Sequence, residues 1–190
     1  ATNLEMGITC WIGAKVHTQG STTLPAKTLI DLISALPKEQ IDFELDEHTQ
    51  NMRLACAEFT NDIKCISAEE FPVLPSMEDE SNIDINVTNL REMIDQVVFA
   101  AAVDDSRPVL TGVEVKLGKE KMSFAAADGF RLAVCEASHT ASDETTEVDV
   151  IVPARALSEL GRIIGDQTDS ISLSLPSGGG QIIFRINDVE

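Results

Sequence analysis

The residues of this chain that could do covalent or metal chemistry are poorly spaced for it. Four cysteines, Cys10, Cys56, Cys65 and Cys135, form no C-x-x-C pair, and the three histidines, His17, His48 and His139, lie far from them. Metal sites need ligands that converge from short, recurring spacings, so buried free thiols are the expectation. Acid pairs such as Asp104 with Asp105 and Glu69 with Glu70 are adjacent, and neighbours on a regular element diverge, so no general acid–base couple is read there. The run from Ser177 to Gly180, "SGGG", lies between two strand patterns, the setting of a hairpin turn and not of a phosphate cradle. No P-loop, nucleophile-elbow or H-E-x-x-H pattern occurs. Neither catalysis nor a cofactor or metal is expected.

Binding is what the remaining residues could do. Lys27, Arg91, Arg155 and Arg162 fall on the polar stripes of three amphipathic segments, and Arg155 and Arg162, seven residues apart, share one helix face. Bases this sparse would make weak, exchangeable, sequence-neutral contacts with phosphate. They would equally solvate an exposed helix and pair with Asp31, Asp95 or Glu159. A net charge of −18, from 32 acidic against 14 basic residues, argues against a broad nucleic-acid-binding surface. Screening confines each charge to about 8–10 Å at physiological salt, however, so placement outweighs the total.

The elements that carry these bases are short and well punctuated. The first helix starts at Pro25, sets Leu29, Leu32, Ile33 and Leu36 on one stripe and stops at Pro37. The second opens after Thr88, read as its N-cap, and buries Leu90, Ile94, Val97 and Ala101. The third starts at Pro153 and buries Leu157, Leu160, Ile163 and Ile164. Between them, "IDFELDE", "NMRLACAEF", "DIKCI", "GVEVKL", "KMSFAAA", "FRLAVCEA", "SISLSL" and "QIIFRI" alternate as strands, joined by turn formers short enough for antiparallel hairpins. With 43% hydrophobic and 24% charged residues the chain can bury a core. It has no signal-peptide pattern and no run of about 18 apolar residues, so the soluble cytoplasm is the default.

One helix followed by several strands is written twice. Pro153, Ala154, Arg155, Leu157, Glu159 and Leu160 repeat Pro25, Ala26, Lys27, Leu29, Asp31 and Leu32 at an offset of 153 − 25 = 128. "ATN" at Ala1 matches "AAD" at Ala126, and "FTNDI" at Phe59 resembles "FRINDV" at Phe184, which predicts a structural repeat of about 125 residues. The second copy stops at Glu190 while the first runs on through "KCISAEEFPVLP", and the first begins in what matches the middle of the second. The expectation is an excerpt of a longer chain, with its domain boundary in "FPVLPSMEDESN".

On "ATNLEM", "TTLPAKTLIDLISALP", "SAEEFPVLP", "VVFAAAVDDSRPVLTGV", "AADGFRLAV" and "VIVPARALSEL", six stretches in order across nearly the whole length, the chain resembles the bacterial DNA polymerase III beta subunit family, the beta sliding clamps. The resemblance implies an α+β DNA-clamp fold of repeated βαβββ half-domains, with antiparallel sheets and helices on one face. Residues 1–79 would be the C-terminal part of the first clamp domain, 80–82 a linker and 83–190 most of the second, with the third domain absent.

The same resemblance implies a non-catalytic processivity factor for DNA replication, a homodimeric ring when full length, which encircles duplex DNA irrespective of sequence. Lys27, Arg91, Arg155 and Arg162 would then face the channel, with Asp104 and Asp105 weakening its positive field. The implied partners are the polymerase III alpha subunit, the clamp loader, and other polymerases and repair proteins, all docking through a short linear motif. Their pocket would fall at Leu110, Ala127, Gly129, Phe130, Arg131 and Leu132. Phe130 stands where the family commonly has histidine and Ala127 where it has threonine, which makes the implied pocket more apolar. Apart from the resemblance, a repeat-built protein-interaction scaffold that never meets DNA fits the same residues.

Overall fold

A computed structural model describes residues 1–77, 83–104, 106–118, 121–138, 148–165, 170–175 and 180–190. The expected linker 80–82, Asp105, His139 and the first three residues of the "SGGG" turn lie outside the described residues. The chain divides into two compact units, one made of Ala1 and Gly13–Leu74, the other of Thr2–Ile12 and Pro75–Glu190.

In the first unit, helix α1 (Ala26–Ala35) precedes three antiparallel strands, β1 (Asp42–Asp46), β2 (Asn51–Cys56) and β3 (Phe59–Lys64), in the order β1-β2-β3. Alternation on β2 turns Met52, Leu54 and Cys56 inward, because successive side chains of a strand point to opposite faces. Leu29 and Leu32 of α1 pack on the cluster of Met52, Leu54, Ile63 and Cys65. Ile33, expected on the buried stripe, is instead 38% exposed, since a single three-stranded sheet covers only one side of the helix. Strand β3 begins at Phe59, earlier than "DIKCI" suggested, because Ala57 takes a φ of 51° and closes a two-residue hairpin.

The second unit holds β4 (Ile83–Asn86), α2 (Val87–Val97), β5 (Gly112–Leu117), β6 (Lys121–Ala127), β7 (Leu132–Ser138), β8 (Val148–Pro153), α3 (Ala154–Ile164), β9 (Ser170–Ser174) and β10 (Ile183–Arg185). They form two antiparallel sheets, β7-β6-β5-β8 and β10-β9-β4. Helices α2 and α3 share one core with both sheets, and the apolar stripes Leu90, Ile94, Val97 and Leu157, Leu160, Ile164 are buried in it as their spacing predicted. Each fully covered Leu or Ile of that core contributes about 1.5–3 kcal/mol. This is the α+β arrangement of antiparallel sheets with helices that the sequence implied.

Several boundaries differ from the sequence reading. Asn86, not Thr88, caps α2, its Oδ1 accepting the Asn89 N–H at 3.1 Å, which satisfies one of the helix's free amide donors. Ala101 is buried but lies beyond α2, after a 3-10 turn at Val98–Ala100, and Ile163 is only half-buried. Pro25 and Pro153 sit at the N-cap, one residue before their helices. Strands β4 and β8 escaped sequence reading, being four residues long and directly joined to a helix, respectively. Of the four thiols, Cys56 and Cys65 are buried as expected, Cys135 is half-buried and Cys10 is exposed.

One long-range pairing had no local signal. Thr9 and Glu190 exchange both backbone hydrogen bonds, at 2.8 and 2.9 Å, and the Trp11 N–H donates to the Asp188 carbonyl at 3.0 Å. The beginning of the sequence is thus strand-paired with its end, within the second unit.

Candidate nucleic-acid interface and docking turn

The four helix bases are all exposed, but they are not equivalent. Lys27 on α1 and Arg155 on α3, the pair related by the repeat, have no ion-pair partner among the described residues. Arg162 donates to Glu159 one turn back on the same helix, at 2.8 Å. An exposed pair of this kind is worth roughly 0–1 kcal/mol and exchanges readily with another anion. Arg91 reaches across from α2, its Nη1 donating to the Gly165 carbonyl at 2.6 Å, at the C-terminus of α3. Asp104, expected to weaken the positive field, bonds its own neighbourhood. It accepts from the Ser106 hydroxyl and N–H, which hold its carboxyl below the usual range.

The second surface is the β6–β7 hairpin. Ala127 and Leu132 are cross-strand partners, and the Asp128 N–H donates to the Arg131 carbonyl at 3.3 Å to close the turn. Asp128 organises the loop. One carboxylate oxygen accepts the N–H groups of Phe130 and Arg131, both at 2.9 Å, and the other accepts Arg131 Nε at 2.9 Å. Those two backbone donors, then the Arg131 charge, hold the Asp128 carboxyl below its ordinary value. Gly129 has a φ of 93°, a conformation that L side chains rarely adopt.

With the loop's backbone bonded inward, its apolar side chains face out: Phe130 is 96% exposed and Leu132 69%. Strand β7 buries one face only, as the alternation of "FRLAVCEA" predicted. Ala133, Cys135 and Ala137 pack on the core, while Leu132, Val134 and Glu136 face away. Arg131 is held a second time, its guanidinium carbon 5.8 Å from the centroid of Phe99, within cation–π range.

Leu110 sits half-buried on a separate 3-10 turn, Pro108–Thr111. Its N–H donates to the Arg107 carbonyl at 2.9 Å, and Arg107 Nη1 lies 3.0 Å from where a Gly129 Cβ would stand. The Arg107 side chain, at the start of the Leu110 turn, thus reaches the hairpin. Arg107, Asp128 and Phe99 were missed in the sequence. Asp128 alone had a signal, as an acid two and three residues before amides that need acceptors.

Among the described residues, no group of three or more His, Cys, Asp or Glu is arranged to hold a metal, and no helix is long and apolar enough to cross a membrane. What the fold presents is exposed, lightly neutralised cations on helices and an apolar turn stiffened from beneath. These features define an α+β protein built from sheet-backed helices.

Known proteins agree with that class and narrow it. A family model described as the DNA polymerase III beta subunit, central domain, matches residues 84–190, and the corresponding N-terminal domain matches residues 1–75. This chain belongs to the DNA polymerase III beta subunit family. The beta sliding clamp of Synechococcus elongatus is 34% identical over 188 residues, which are 99% of this chain and 50% of that protein. The beta sliding clamp of a Synechocystis strain is 35% identical over 205 residues, 99% of this chain and 52% of that one. The crystal structure of the DNA polymerase sliding clamp from Caulobacter crescentus superposes with a TM-score of 0.86 at 25% identity, covering all of this chain and 51% of that chain. The chain therefore spans about half the length of the relatives it matches.

Proposed function

We propose that this chain is part of a DNA replication processivity factor, a sliding clamp that encircles duplex DNA as a full-length homodimeric ring and tethers DNA polymerase III. The observation that carries the reading is the pairing of Lys27 with Arg155. Two bases at matching places of the repeat stand exposed and, among the described residues, without ion partners, although acids outnumber bases 32 to 14 over the whole chain. Together with Arg162 they would meet phosphate weakly enough to slide. The acids elsewhere keep the protein soluble.

The hairpin supports the second half of the reading. Leu132 and Phe130, with Leu110 on the neighbouring turn, offer apolar anchors for a short linear motif of the polymerase alpha subunit, the clamp loader, and other polymerases or repair proteins. Ala127, Gly129 and Arg131 shape the turn beside them. Such a protein carries no catalytic group of its own, needs no cofactor and works in the cytoplasm. Residues 1–79 then belong to the first clamp domain and 83–190 to the second.

The experiment loads the full-length protein onto a nicked circular plasmid with its loader and passes the complex through a sizing column in high salt, before and after linearisation. Retention on the circle and loss from the linear form are expected. Equal retention on both, after loading is verified independently, overturns the ring and favours a protein-interaction scaffold.

A further inference from the structure

Arg91 was read from the sequence as a cation for phosphate, but its geometry serves another helix. Helix α3 ends at Gly165, whose φ of 54° turns the chain out of the helix, so the last carbonyls have no intrahelical donor. Arg91 Nη1 supplies one, at 2.6 Å, from α2 and 74 residues away in sequence. A guanidinium at a helix C-terminus is also favoured by the negative end of the helix dipole. Arg162, the base in the last turn of α3 itself, points instead to Glu159.

The rest of the α2–α3 contact is apolar and close. Leu90, Ile94 and Val97 share a core with Leu157, Leu160 and Ile164, and Gly161 leaves room for Ile94 beside it. Apolar attraction is itself non-directional, and the interlocking of side chains leaves a scatter of about 15–20° in how two helices cross. A charged hydrogen bond is directional and narrows it.

We infer that Arg91 is a positioning residue, which fastens the C-terminal turn of α3 to α2 and so fixes the direction in which Arg155 and Arg162 face. The fastening itself stands on the fold. That the face it aims is a DNA face rests on the function proposed above.

The test uses the full-length protein with Arg91→Gln, Arg91→Lys and, for comparison, Arg155→Ala. Amide hydrogen exchange is followed over Leu160–Gly165, and duplex affinity is measured as a function of salt. Arg91→Gln should speed exchange in that turn roughly tenfold, as for loss of the charge-assisted hydrogen bond to Gly165, and should weaken duplex affinity with a smaller change of salt slope than in Arg155→Ala. Arg91→Lys keeps the charge without the planar fork and should speed exchange less. Arg155→Ala should leave exchange alone and reduce the salt slope by about 0.9. Exchange at the parent rate in Arg91→Gln, or a slope reduced as far as in Arg155→Ala, overturns the inference. If Arg155→Ala leaves the slope untouched, the DNA reading fails instead, and the exchange data still decide the role of Arg91.

Discussion

Gly161 on α3 faces Ile94 on α2 so closely that a Cβ at position 161 would lie 3.5 Å from Ile94 Cγ2, an ordinary van der Waals contact. One methyl therefore fits there and a larger group does not. Gly161→Ala should stabilise the protein by about 0.5–1 kcal/mol, the helix-propensity difference, while Gly161→Leu should destabilise it by about 1–3 kcal/mol through overpacking. Urea unfolding of the two variants checks the pair, and a destabilising Gly161→Ala would show the helices to be packed more tightly than this distance allows.

Gly129 presents the opposite case. Its φ of 93° is unfavourable for any L side chain, and a Cβ would press on Arg107 Nη1 at 3.0 Å. Gly129→Ala should cost about 1 kcal/mol or more, and the disturbed turn should weaken partner-peptide binding. Calorimetric titration with a motif peptide, alongside a thermal melt, tests both effects.

Asp128 makes the turn dependent on pH. Its carboxyl titrates below the ordinary value because the Phe130 and Arg131 amides, then the Arg131 charge, favour the ionised form. A lowered pKa means the group's contribution is present above the ordinary carboxylate range and lost as pH falls through the folded value. The Phe130 and Arg131 amide resonances should therefore hold steady from neutral pH down to the usual Asp range and move only below it. In Asp128→Ala that acid transition should vanish, and the loop amides should exchange faster at neutral pH.

Leu132 separates binding from stability. At 69% exposure it contributes little to the core, so Leu132→Ala should leave the unfolding midpoint nearly unchanged while weakening peptide binding by about 1–3 kcal/mol if it is an anchor. Leu110, half-buried, should show both effects. Unaltered titration curves for both variants would remove them from the docking site.

Lys27 and Arg155 should act alike on DNA. Each alanine substitution should reduce the salt slope of duplex affinity by about 0.9, the value for one phosphate contact. Arg162→Ala should do less, because Glu159 already neutralises part of its charge. Fluorescence anisotropy over a salt series distinguishes the three.

The sequence by itself determined the helices, most of the strands and the faces on which the bases stand. Leu157, Leu160 and Ile164 are buried and Arg155 is exposed because a 3.6-residue period sorts them, whatever the helix packs against. The antiparallel sheets followed from short alternating runs and turns too tight for crossovers. The family resemblance, carried by six stretches in order, was legible for the same reason: each stretch is local.

Only the tertiary structure decided which residues meet across long separations. The pairing of Thr9 with Glu190, Arg91 on the Gly165 carbonyl, Arg107 beside Gly129 and Arg131 over Phe99 all join elements whose own periodicity is indifferent to the partner. An exposed arginine on a helix carries the same local pattern whether it meets phosphate, water or another helix's carbonyl. Packing chooses among these, because it is the fold that brings one acceptor within about 3 Å and leaves the others to solvent.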